Sequence, residues 1–219
     1  MDKLRSQFQE ELKSLNIKLL KMGSMVQNII EVSVQSLAKQ DLNRARSVFE
    51  LDDDIDALEL EIEHQCMNLI ALQQPIARDL RTIGTILKII TDLERMGDHA
   101  VNIAKVTLEI GEDKLIKALI DIPKMARLTE DMVNKSLDAF MHEDIDLAKE
   151  LDHYDDQVDD LYEAIYLELI EMMLENPDII KQATQLLFIG RYLERTADHA
   201  TNIGERIIYM VTGERMKIN

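Results

Sequence analysis

The chain has 219 residues, of which 42 are acidic and 25 basic, giving a formal net charge of −17 at pH 7. With no basic stripe interleaved with aromatics, that balance excludes neutralising nucleic-acid phosphates and favours cations or a basic partner protein. A 46% hydrophobic content, 31% charged residues, seven glycines, three prolines and no tryptophan match long helices with a sizeable core and exclude disorder. The acid is uneven: residues 1–110 carry 18 acidic and 13 basic residues, residues 111–219 carry 24 and 12. Cys66 is the single cysteine, so no internal disulfide forms and a reducing, cytoplasmic setting is expected. The N-terminus lacks the apolar run of a signal peptide, and no window reaches the ~18 apolar residues of a membrane span. Membrane association is therefore expected only through partners.

Apolar residues recur at helical spacing from about Leu4 to Ala38, through Leu15, Leu19, Met22, Val26 and Ile29, interrupted by nothing stronger than Gly23. Asp41 offers an N-cap for a second helix that runs to about Leu72, with Val48, Ile55, Leu58, Ile62 and Leu69 inward. Pro75 suits the first turn of a third helix reaching Ile110, which Gly111 closes. Residues 112–123 read as a connector into a fourth helix ending near Met141. Asp144 then repeats the role of Asp41 ahead of a fifth helix, and Pro177 that of Pro75 ahead of a sixth, which ends near Val211.

The second half rewrites the first. Residues 93–103, Leu-Glu-Arg-Met-Gly-Asp-His-Ala-Val-Asn-Ile, return at 193–203 with eight of eleven positions identical. Helices of roughly 30 residues, about 45 Å long at ~1.5 Å per residue, joined by short turns, predict an all-α fold of two tandem, similar antiparallel three-helix bundles. The expected units are residues 1–111 and 112–219. Small residues Gly97, Ala100 and Ala104, echoed by Ala197, Ala200 and Gly204, permit close helix approach.

Glu94 and Asp98, one turn apart, fall at the edge of the inward stripe of the third helix, and Glu194 and Asp198 repeat them on the sixth. Asp52 and Asp56 border the stripe of the second helix, continued by Glu59 and Glu63; Asp155 and Asp159 do so on the fifth, where Tyr162 and Tyr166 replace the two glutamates. Helix packing is expected to bring four carboxylates together in each half. Such a set repels itself, and bound cations relieve it, since oxygen ligands suit magnesium, calcium, manganese or iron. The bland alternative is a solvated rim, but recurrence at equivalent positions of two diverged units argues for metal.

His99 and His199 point away from the stripe and are expected on the surface or facing a partner, not as ligands. Arg95 and Arg195 are expected to pair with neighbouring acids or to contact another protein. A carboxylate-bridged di-metal enzyme is the competing class, with local Glu-x-x-His matches at Glu61/His64 and Glu150/His153. These occupy non-equivalent positions in the two halves and point off the inward stripe. No hydrolytic triad, phosphate loop or CxxC is present, so no nucleophile assembles and a non-enzyme is expected.

The doubled Glu-Arg-x-x-Asp-His-Ala-x-Asn segment, with both acid pairs in each half, resembles the PhoU family of phosphate-uptake regulators over nearly the whole chain. The resemblance implies multinuclear iron or zinc clusters on E(D)xxxD motifs, which fall here on Asp52, Asp56, Glu94 and Asp98 and on Asp155, Asp159, Glu194 and Asp198, with Asn102 and Asn202 nearby. It further implies a cytoplasmic, commonly dimeric negative regulator. Such a regulator links the ATP-binding subunit of a phosphate ABC transporter to a sensor histidine kinase of the phosphate starvation response.

Overall fold

The computed structural model describes residues 2–218, with side chains from Ser6 onward. Six α-helices follow in order: α1 (Asp2–Lys39), α2 (Leu42–Gln73), α3 (Ala77–Ile110), α4 (Asp121–His142), α5 (Ile145–Glu175) and α6 (Ile180–Thr212), the last preceded by one 3-10 turn at Pro177–Ile179. No strand occurs among the described residues. Helices α1, α2 and α3 pack on one another, as do α4, α5 and α6. The chain is thus two tandem three-helix bundles, joined where α3 meets α6 and α1 meets α4.

The two Asp N-caps stand where the sequence places them. Asp41 accepts hydrogen bonds from the backbone N–H groups of Asn43 and Arg44, and Asp144 from those of Asp146 and Leu147. Each satisfies donors that a helix start otherwise leaves open. Two boundaries differ from expectation. Pro75 lies two residues before α3, whose N-cap position holds Ile76 with no side-chain bond. The connector ends earlier than 123: α4 begins at Asp121, and Pro123 sits in its first turn, where a missing N–H costs nothing. The remaining connector is tied down by Gln182 on α6, whose Oε1 accepts from Ile116 N at 2.6 Å and whose Nε2 donates to Lys114 O at 3.3 Å. Gln40 Nε2 holds the same segment through the carbonyl of Asp113 at 2.7 Å.

The core is continuous through both halves, from Leu15, Met22 and Ile29 on α1 to Ile189, Leu193 and Ile207 on α6. Two glycines set the spacing of its layers. At Gly23 an added Cβ would overlap Leu137 Cδ1, so α1 and α4 meet closely across the join between halves. At Gly204 it would lie 3.0 Å from the backbone carbonyl oxygen of Ala148, so α6 lies almost against the backbone of α5. Cys66 is fully buried, and burial pushes its thiol up to about 12, leaving it unreactive.

Candidate metal centre

In the first half, α2 carries Asp52 and Asp56 and α3 carries Glu94 and Asp98. The contact between these helices is close: a Cβ on Gly97 would stand 2.8 Å from Asp52 Oδ1. The carboxylates therefore share one seam. Burial raises Asp52 to about 6, aided by the charges of Asp56 and Asp98. Glu94 is raised to about 7 by burial first and then by Asp98, with Arg95 acting against the rise. Asp56 is also raised, again mainly by burial and then by Asp98. Burial lifts Glu59, the next acid along α2, while a bond from Thr91 on α3 partly offsets this.

In the second half, α5 carries Asp155 and Asp159 and α6 carries Glu194 and Asp198. Asp155 is only 4% exposed and is pushed up to about 7, chiefly by burial and then by Asp198, Asp159 and Glu194. Asp159 and Glu194 rise for the same reasons. The fold thus gathers the eight predicted acids into two sets of four, each drawn from two helices. Burial is deeper than a stripe-edge position implies at Asp155, which α6 covers.

A cationic side chain sits in each set, but not at equivalent positions. Arg95 bridges Glu94 (Nε–Oε2, 3.3 Å) and Asp98 (Nη1–Oδ2, 2.8 Å), as expected. In the second half Arg191, one turn before Glu194, makes the ion pair, and Arg195 forms none among the described residues. Arg191 stands where the first half has Thr91, and Tyr162 where it has Glu59. The first half sets the Thr91 hydroxyl beside Glu59, whereas in the second Arg191 pairs with Glu194. Tyr162 closes over Gly190, where a Cβ would meet its ring at 3.0 Å.

The donors suit a hard cation. All are carboxylate oxygens, and Glu194 Oε2 is buried without a hydrogen-bond partner among the described residues, an acceptor that a cation would satisfy. An all-oxygen set suits iron better than zinc, which favours nitrogen and sulfur ligands. Bound there, a cation would supply positive charge between two helices of each half. Among the described residues, no three His, Cys, Asp or Glu side chains converge tightly enough to hold an ion as they stand. The Glu-x-x-His pairs of the enzyme alternative lie on outer faces, with His64 and His153 exposed and Glu61 paired to Lys18 at 2.8 Å.

The histidines of the repeated segment occupy a different place from the one expected. His99 and His199 are half-buried in the seam between α3 and α6, their rings 5.5 Å apart. Each reaches the position seven residues before its counterpart. His99 stacks at 6.1 Å on Tyr192 and lies 3.3 Å from Thr196 Oγ1, while His199 Nδ1 is 3.0 Å from Asp92 Oδ1. Arg206 Nε completes the buried Asp92 at 2.7 Å. Helix α3 is covered on two sides, by its own half and by α6, so a side chain off the first stripe still meets protein. Asp92 and Arg206 carry no motif in the sequence, because their partners are more than a hundred residues away.

A tandem helical protein with one doubled acid seam per half is the class that this geometry defines. The PhoU domain matches residues 19–107 and 122–207, and the chain belongs to the PhoU family. It is 43% identical over 216 residues to the phosphate-specific transport system accessory protein PhoU homolog of Clostridium acetobutylicum, covering 98% of this chain and 99% of that one. The homolog of the same name from Aquifex aeolicus is 42% identical, with 95% and 94% covered. The crystal structure of PhoU from Pseudomonas aeruginosa superposes with a TM-score of 0.89 at 36% identity, covering 94% of this chain and all of that one. No described helix is long and apolar enough to cross a membrane.

Proposed function

We propose that the chain is a non-enzymatic, cytoplasmic negative regulator of phosphate uptake and phosphate starvation signalling. In this reading it acts as an adaptor between the ATP-binding subunit of a phosphate ABC transporter and a sensor histidine kinase. Iron or zinc sits on Asp52, Asp56, Glu94 and Asp98 and on Asp155, Asp159, Glu194 and Asp198, with the two expected units, 1–111 and 112–219, each holding one set. One observation carries the reading: the PhoU domain matches both halves, and each matched segment contains a full set of acid pairs. The relatives' names, which describe accessory proteins of phosphate-specific transport, support a regulatory role. The protein works as a homodimer, for which the exposed Leu60 and Met67, seven residues apart on the outer face of α2, offer apolar surface.

Deleting the gene is expected to derepress phosphate-scavenging genes in phosphate-rich medium, and the transporter's ATP-binding subunit is expected to co-purify with the tagged chain. An unchanged transcriptional response would sink the regulatory reading. Elemental analysis of protein purified without a metal-affinity tag is expected to find metal that Asp98→Asn/Asp198→Asn loses. Turnover of phosphoesters or of oxygen with iron, abolished by Asp98→Asn, would instead make the chain an enzyme.

A further inference from the structure

A groove of about 740 Å³ opens between the first half of α3 and the end of α6. Five cations line it: Arg81 and Lys88 from α3, Arg206 from α6, and Arg215 and Lys217 from the segment after α6. In a chain of net charge −17 this is a local reversal of sign. The single acid on its wall, Glu205, is engaged, accepting the backbone N–H of Ile218 at 3.1 Å. Arg206 is held by Asp92, and Arg81 Nε donates to the carbonyl of Met210 at 3.1 Å. Among the described residues, no ion pair engages Arg81, Lys88, Arg215 or Lys217.

The last residues build the groove's outer wall. Helix α6 stops at Gly213, in the left-handed region at φ 79°, and the chain turns back along it. Ile218 then packs where Gly204 leaves room, its Cδ1 2.8 Å from the position of a Cβ there. This anchoring carries Arg215, Met216 and Lys217 across from α3. The groove also has an apolar part, with Leu80, Tyr209 and Met216 all exposed. At Gly84 its floor is open, since a Cβ there would meet nothing within 4 Å.

We propose that this groove binds a soluble phosphorylated ligand of nucleotide size, its phosphates on the cations and its ring against Tyr209, Leu80 and Met216. The volume lies in the range of small-molecule sites, which combine apolar walls with a few charged groups. Unpaired arginine and lysine side chains are the usual donors to phosphate oxygens. A long polyanion would meet the acidic remainder of the surface and be repelled, whereas a small ligand fits within the basic patch. Inorganic phosphate alone would leave the apolar wall unused. The proposal is independent of the acid seams.

Calorimetric titration of the full chain with ATP, in EDTA so that no metal bridges the ligand to the carboxylates, tests it. Saturable binding tighter than about 1 mM is expected at physiological salt. Lys88→Ala/Lys217→Ala is expected to weaken it by about tenfold or more. Gly84→Leu, whose side chain would fill the groove without touching the core, is expected to abolish binding with unchanged helicity by circular dichroism. Absence of saturable ATP binding, binding that survives both variants, or equal competition by inorganic phosphate would overturn the proposal.

Discussion

Asp155 concentrates the electrostatic problem of the seams in one residue. Burial and four neighbouring acids lift its pKa from 3.8 to about 7, so the folded protein holds that proton across a window in which the unfolded chain has lost it. The native state binds more protons between those limits, and stability therefore falls as pH rises from about 4 through 7. Glu94 and Asp52 act in the same direction, toward about 7 and about 6. Metal-free protein is expected to melt at a higher temperature at pH 5.5 than at pH 8, measured by circular dichroism in chelator. Asp155→Asn should remove part of that difference and stabilise the metal-free form at pH 8 by on the order of 1 kcal/mol. A melting temperature independent of pH, or a destabilised Asp155→Asn, would show that the carboxylate is not strained. Asp92 is the opposite case, a buried acid fully matched by Arg206 and His199. Asp92→Ala leaves Arg206 and His199 without their shared acceptor, and a loss of roughly 2–4 kcal/mol in urea unfolding is expected. The residue types of the seams were legible in the sequence because they repeat and keep a four-residue step. Asp92 was not legible, since its position seven residues ahead of His99 gains meaning only when α6 lies beside α3.

At the scale of helices, periodicity and capping sufficed for the existence of all six and for the starts of α2 and α5. They did not fix how α1 meets α4, because that contact depends on Gly23 and Leu137, which lie 114 positions apart and share no pattern. The two tight glycines separate close contact with a side chain from close contact with backbone. An alanine at Gly23 meets the end of Leu137, which can turn aside, and helix propensity returns about 1 kcal/mol, so Gly23→Ala is expected to be nearly neutral to mildly destabilising. An alanine at Gly204 meets the Ala148 carbonyl as well as Leu151, and α6 must move as a whole. Gly204→Ala is expected to cost roughly 2–3 kcal/mol by chemical denaturation. Equal effects at the two positions would contradict this division. Between the halves, Thr91 to Arg191 adds a positive charge and Glu59 to Tyr162 removes a negative one, so the second seam carries less net acid, which only comparison of the two halves reveals.

Across the whole molecule, a charge of −17 on 219 residues sets a diffuse self-repulsion, and the seams add two local concentrations of it. These contributions separate by their response to ions. Sodium chloride screens the diffuse part, since the Debye length shortens from about 10 Å at 0.1 M to about 3 Å at 1 M, and a gradual rise in melting temperature with salt is expected of wild type and variants alike. A cation held by the seams acts by mass action instead. At a hundredfold excess over its dissociation constant it stabilises the folded state by about 2.7 kcal/mol, or roughly 5–10 °C for a chain of this size. Manganese at low millimolar concentration, too dilute to screen appreciably, is therefore expected to raise the melting temperature of wild type well beyond an equal ionic strength of sodium chloride. Asp98→Asn/Asp198→Asn should keep the salt response and lose the manganese increment, whereas Lys88→Ala/Lys217→Ala, altered only in the basic groove, should keep both. If manganese and sodium chloride of matched ionic strength act alike on wild type, the seams bind nothing specifically, and their acids serve only as a strained solvated rim.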